Sequence, residues 1–211
     1  MLDLRAEYKK IVKTGSGHDL KGVNIAKHIK LRLKEEDKNL AKVCYVCALG
    51  QWESEAYWAN YWYHGEKSNR ELLIESLMGR KNDEIAQIKD GFKDKKYGDS
   101  LTKCMKTELK EDKFKKAVLM VLDEKRMEES RSGRIDRDLV DDDVRALHKA
   151  LKSEKGGESA MISIIVVRSD SHLRECLRVY ESSYRSNFAR DMLKKSGNLV
   201  VSCSSHYLQS S

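Results

Sequence analysis

The chain has 211 residues, 41 basic and 34 acidic, with a formal net charge of +7, 40% hydrophobic residues and no proline. That apolar content beside 36% charged residues excludes a disordered chain, and the Lys, Glu, Leu and Ala that replace proline point to an all-α fold. No apolar run reaches about 18 residues and no charged-then-apolar leader opens the sequence, which predicts a chain kept in the cytosol.

An odd number of cysteines, Cys44, Cys47, Cys104, Cys176 and Cys203, agrees with free thiols in a reducing compartment. The positive excess draws the chain toward anionic surfaces, phospholipid or nucleic acid, without choosing between them.

In chain order, the first predicted helix runs from Leu4 to Val12 with Leu4, Tyr8 and Ile11 on one face. After a Gly/Ser turn, helices follow over Val23 to Leu33 and Asn39 to Leu49. Cys44 and Cys47 form a C-x-x-C, but they sit inside an apolar helix with no second pair nearby, so core packing explains them better than metal or redox chemistry. Glu53 to His64 is a helix flanked and filled by Trp52, Tyr57, Trp58, Tyr61, Trp62 and Tyr63. Such a band can stack bases or meet lipid, and as the first helix of a repeat it also packs on a core.

From Gly65 to Glu124 the apolar residues recur at helical spacing in four bursts: Leu73 to Met78, Ile85 to Phe92, Leu101 to Leu109 and Phe114 to Leu122. Ser68 with Glu71 forms a capping box, Asn82 and Asp112 are expected caps, and Gly79 and Gly98 sit where helices stop. The acidic run Asp136 to Asp143 lacks the alternating ligands and central glycine of an EF-hand loop, so its carboxylates are expected to cap a helix over Val144 to Leu151. Ser159 to Val167 is apolar enough for a strand, but its alignment on Arg70 to Gly79 makes it a buried helix. The sequence after Asn198 is expected to pack poorly.

Parts of the four-burst unit recur. Arg32 to Leu49 lies over Glu108 to Glu124, and Gly156 to Tyr184 lies over the first half, pairing Arg168 with Arg80, Asp170 with Asn82 and Tyr180 with Phe92. A period of roughly 70 to 90 residues exceeds most solenoid units and indicates helical modules packed side by side. No Gly-rich phosphate loop, H-E-x-x-H or G-x-S-x-G occurs, and the six histidines show no ligand spacing, so a non-enzymatic protein is expected. Arg80 and Arg168 are expected to bond helix-end carbonyls or a buried acid.

A capped helix after a glycine-containing loop, an Arg-x-Asn step, Tyr-Gly-Asp before the next helix and Glu-Leu near its end make this unit similar to the annexin repeat. The connector Ile135 to Glu158 resembles the acidic one between the second and third annexin repeats. The resemblance implies residues 1–50 as a partial first repeat, 51–130 as a complete second, 131–142 as a linker, 143–199 as an incomplete third and 200–211 as a tail. It also implies peripheral binding to acidic phospholipid membranes and calcium as cofactor. In the family, calcium is held by loop carbonyls and a later bidentate acid, because a hard cation wants several oxygens that a glycine-bearing loop can turn inward.

In the second repeat the resemblance assigns calcium to carbonyls at Tyr63, Gly65 and Lys67 and to the Glu108 carboxylate. Lipid contacts are assigned to Tyr63, Lys67, Ser68 and Lys155. Lys67 stands where the family has a second glycine, at a cost of about 1 kcal/mol in a left-handed backbone, and adds a positive charge. In the third repeat Lys194 occupies the position of the acid, and in the first Arg32 does. Calcium dependence is therefore expected to be weak or lost, with Arg32, Lys67, Lys155 and Lys194 meeting lipid phosphate at about 1 kcal/mol each or serving only as a solvated face. The competing reading is a protein or nucleic-acid interaction module on a degenerate form of this fold.

Overall fold

A computed structural model describes residues 2–14, 24–62, 70–153 and 156–195, and among these residues it is all-α, with twelve α-helices and no strand. They are α1 (Leu2–Thr14), α2 (Ile25–Leu33), α3 (Lys38–Ala48), α4 (Gln51–Tyr61), α5 (Arg70–Leu77), α6 (Asn82–Gly91), α7 (Leu101–Glu108), α8 (Lys113–Leu122), α9 (Arg137–Lys152), α10 (Gly157–Val167), α11 (Asp170–Tyr184) and α12 (Phe188–Lys195). A 3-10 turn, Lys95–Tyr97, precedes α7 and ends at Gly98, whose φ of 63° needs the freedom of glycine.

Helices α2 and α3 pack on each other, α4 packs on α5 and α6, α7 on α8, and α9 on α10 and α11, while α8 also meets α10. One continuous core therefore runs from Ala56 and Trp62 through Leu77, Ile88, Phe114 and Val118 to Leu147, Ile165, Phe188 and Met192. The buried residues of α2 and α3, namely Ala26, Ala41, Val46 and Ala48, are small and do not join it. The apolar face expected on α1 is only partly covered: Leu4 and Ile11 are 58% and 67% exposed, while Tyr8 is half-buried against His28 of α2.

Local chemistry sets the ends of these helices. Asp112 caps α8 by accepting from Lys115 N–H at 2.9 Å, as its position predicts. Asn82 does not cap α6. Glu84 accepts from the Lys81 N–H at 2.8 Å, while Asn82 turns away to hold the backbone of Arg126, donating to its carbonyl at 2.8 Å and accepting from its N–H at 3.0 Å. Helix α9 begins at Arg137, earlier than the expected Val144. Asp136 is its cap, and the rest of the acidic run lies inside the helix, where the period leaves Asp141 and Asp142 exposed and buries Asp143 between Val140, Val144 and Leu147. The α9–α10 turn needs both its glycines. Gly156 has φ 87°, and a side chain at Gly157 would drive its Cβ into the Ala150 carbonyl.

The repeat expected from sequence is visible in its ion pairs. Arg80 donates to Glu55 at 2.9 Å and to the helix-end carbonyl of Ser76 at 3.2 Å, and Arg168 forks Asp143 at 2.6 and 3.1 Å. Each arginine reaches back 25 residues in the chain to its acid. Between these pairs lies Arg126, its side chain 9% exposed, donating to the carbonyls of Gly79 at 2.7 Å and Arg168 at 3.2 Å and to Asp170 at 2.5 Å. Glu129 secures the same joint by accepting from the Ser171 N–H at 3.1 Å and from its hydroxyl at 2.5 Å.

Replacing Arg126 by Met leaves buried carbonyls and Asp170 without their donor and should cost about 2–4 kcal/mol, with Asn82→Ala costing about 1–3 kcal/mol, both read by urea unfolding. Burial works against ionisation of Glu129, but its bonds from Ser171 outweigh this and hold its carboxyl below the usual range. Its contribution is therefore present above the unfolded-state pKa and lost as pH falls through the lower folded one. Unfolding curves of the parent and Glu129→Gln should differ at neutral pH and converge in acid.

Candidate functional site

Glu108 closes α7, and Leu109 N–H caps the helix by donating to Met105 at 3.2 Å. The turn that follows is drawn to the start of α5 by Arg70, which donates to Asp112 at 2.8 Å and lies 4.9 Å over the Phe114 ring. Arg70 opens α5, so the fold brings the α7–α8 turn beside the N-terminus of that helix. Tyr63, Gly65, Lys67, Ser68 and Lys155 lie outside the described residues. Lys194 and Arg32 are exposed, on α12 and near the end of α2.

The Glu108 carboxylate is engaged within its own module. Its Oε1 accepts from Lys96 Nζ at 2.7 Å and from the hydroxyl of Tyr97, a residue 2% exposed. The carboxylate in turn holds the Lys96 ammonium well above the usual lysine range. The Lys96 side chain is 62% exposed and the Glu108 side chain 24%, so the pair is screened and reversible. A cation that takes this oxygen displaces an ammonium. Sequence reasoning missed this contact because Lys96 precedes Tyr97-Gly98-Asp99 on a 3-10 turn, and only the left-handed Gly98 and Asp99, at φ 63° and 58°, bring that turn back onto α7.

One other cluster among the described residues has metal-ligating chemistry: Asp143, His172 and Cys176, all buried, with ligand atoms within 4.8 Å of one another. Arg168 takes both oxygens of Asp143, and His172 Nε2 shares Oδ2 at 2.8 Å. Burial pushes the Cys176 thiol up to about 12, which keeps it protonated. A carboxylate saturated by a guanidinium and a neutral thiol form an internal anchor of α9 on α11 rather than an open coordination sphere.

The C-x-x-C does not lie wholly in the core as expected. Cys44 is half-buried and Cys47 is exposed on α3. The aromatic band of α4 divides. Ala56, Ala59 and Trp62 face the core, whereas Tyr57, Trp58 and Tyr61 are half-buried on the side toward α3, where Tyr45 meets Tyr57 edge-on at 5.4 Å.

This arrangement of short helices in packed repeat units defines an annexin-type fold. No protein-family model matches the sequence. The chain is 34% identical to annexin A1 of Cavia cutleri over 131 residues, which is 61% of this chain and 36% of that protein. The structure of an annexin A8 point mutant with an intact N-terminus superposes with a TM-score of 0.75 at 18% identity, covering 98% of this chain and 71% of that one, and a calcium-bound annexin (Sm)1 with 0.70 at 18%, covering 99% and 69%. The chain spans about a third of the length of the curated relatives it matches. Its sequence and its fold are both similar to those of annexins.

If Lys96 holds Glu108 against cations, Lys96→Gln should tighten calcium binding about two- to five-fold in a calorimetric titration, and Glu108→Gln in the same background should abolish the gain.

Proposed function

We propose that this chain is a non-catalytic, peripheral binder of acidic phospholipid membranes in which calcium contributes weakly and basic side chains contribute directly. The observation that carries the reading is the Lys96–Glu108 pair: the carboxylate that the annexin resemblance assigns to calcium already has a cation and a phenol on one oxygen. A divalent ion gains from Glu108 only what remains after that pair is broken. The Arg70–Asp112 bond supports the reading, since it holds the α7–α8 turn at the start of α5, the helix that follows the assigned residues in sequence.

The calcium ligands would be backbone carbonyls of Tyr63, Gly65 and Lys67 with the Glu108 carboxylate. Calcium bound there would bridge the protein to lipid phosphate. Lys67, Ser68, Lys155 and Tyr63 would meet the headgroups, joined by Arg32 and Lys194 at the other positions where the resemblance places acids. The net charge of +7 favours the same surface, at about 1 kcal/mol per cation brought to it. The whole chain would act at the membrane face from the cytosol.

Co-sedimentation with phosphatidylserine vesicles at physiological salt, with calcium and with chelator, tests this. The expected result is binding that persists with chelator, is modestly strengthened by calcium through Glu108, and falls in Lys67→Glu. Binding that needs calcium outright would replace the charge-driven reading by a calcium-driven one. Absence from the pellet in both conditions would overturn membrane binding and bring forward the protein or nucleic-acid interaction module.

A further inference from the structure

A second concave site lies away from Glu108. Helices α1, α3, α4 and α6 enclose a cleft of about 960 Å³, within the size of ligand pockets and at the seam between the small-residue packing of α2 and α3 and the main core. Its wall is aromatic: Tyr45, Trp52, Tyr57 and Tyr61 line it, with Tyr57 and Tyr61 stacked at 5.9 Å and 15°. Half-buried rings gathered at a cleft, rather than turned into the core, offer π-faces to a flat ligand.

The polar groups give that ligand a sign. Arg5, on the same wall, donates Nη2 to Glu53 at 3.1 Å, while its Nη1 is buried and has no hydrogen-bond acceptor among the described residues. A buried guanidinium N–H without a partner is rare in folded proteins and marks a place for an acceptor. Two of the rings also carry a cation, with Lys30 Nζ 4.7 Å over Tyr45 and Lys42 Nζ 4.9 Å over Tyr61. Lys42 also donates to the Tyr61 hydroxyl at 2.7 Å. Cations on those rings repel a positively charged guest and attract a negative one. Lys93 adds a further cation at the wall, against the acids Glu53 and Asp90.

We propose that this cleft binds a small planar aromatic molecule carrying an anionic group, of the size and chemistry of a mononucleotide, with the ring on the tyrosine wall and the anion at Arg5. The site is independent of the membrane reading, since none of its residues belongs to the Glu108 turn.

The test titrates the full chain calorimetrically with three probes: adenosine monophosphate, adenosine, which has the ring alone, and ribose 5-phosphate, which has the anion alone. The expected result is saturable binding of the monophosphate, about ten-fold weaker binding of adenosine, and none of ribose 5-phosphate. Tyr57→Ala should lower the monophosphate affinity about ten-fold. Arg5→Gln should bring monophosphate and adenosine to the same affinity. Far-UV circular dichroism and urea unfolding of each variant, unchanged from the parent, show that the fold survives. Equal binding of monophosphate and ribose 5-phosphate would overturn the proposal in favour of charge alone, and so would the absence of saturable binding by the parent up to millimolar probe. Because the three-probe comparison is made on the parent chain, a variant that failed to fold would not shield the proposal.

Discussion

The joint at Arg126 is the constraint on which the larger part of the chain depends. Its guanidinium satisfies the carbonyl of Gly79, where α5 gives way to α6, and that of Arg168, where α10 gives way to α11. Those turns are equivalent positions in two copies of one unit, and each carries an arginine that reaches back to an acid on the first helix of its unit. A single side chain thus spans the symmetry of the repeat and ties the α5–α6 turn to the α10–α11 turn. Charge-assisted bonds to carbonyls are strong when water is excluded, and here the alternative is a set of buried, unpaired C=O groups.

The same economy explains the candidate calcium position. The 3-10 turn that returns the chain to α7 needs a left-handed glycine and a left-handed aspartate, and in making that return it delivers Lys96 and Tyr97 to Glu108. Local backbone geometry and the charge around Glu108 are therefore coupled: what forms the turn also sets an ammonium against the carboxylate. In the proposed site such a lysine would weaken cation binding without being one of the ligands.

Much of this was legible in the sequence and some of it was not. The helical periods of α5 to α8, the capping role of Asp112 and the two choices offered for Arg80 and Arg168, helix-end carbonyls and acids, all follow from spacing, and both choices for the arginines occur. Asn82 misleads because a residue that can cap a helix can equally clasp a passing segment of backbone, and only the path of Arg126 decides between them. The start of α9 was hidden because a run of aspartates looks like a cap at each of its positions, while burial of Asp143 depends on Arg168, distant in sequence. On α4 the aromatic residues occupy positions 52, 57, 58, 61 and 62, which surround most of the helix. Periodicity cannot then name a face, and the division between core and cleft comes from which neighbours are small enough to be covered. The residues assigned by family resemblance, Tyr63, Gly65, Lys67, Ser68 and Lys155, stand with Glu108 as the proposed site.

The separation of the small-residue packing in α2 and α3 from the main core carries a consequence for how this chain breathes. A contact made by Ala26, Ala41, Val46 and Ala48 excludes less apolar surface than the main core, so opening of these helices should cost less than opening of the rest. The aromatic cleft has one wall on each side of that boundary, with Arg5 and Tyr45 on the weaker side and Tyr57 and Tyr61 on α4. Anything held between those walls would fasten the two units together, and occupancy would be written into the opening rate of the first three helices rather than into any change of shape.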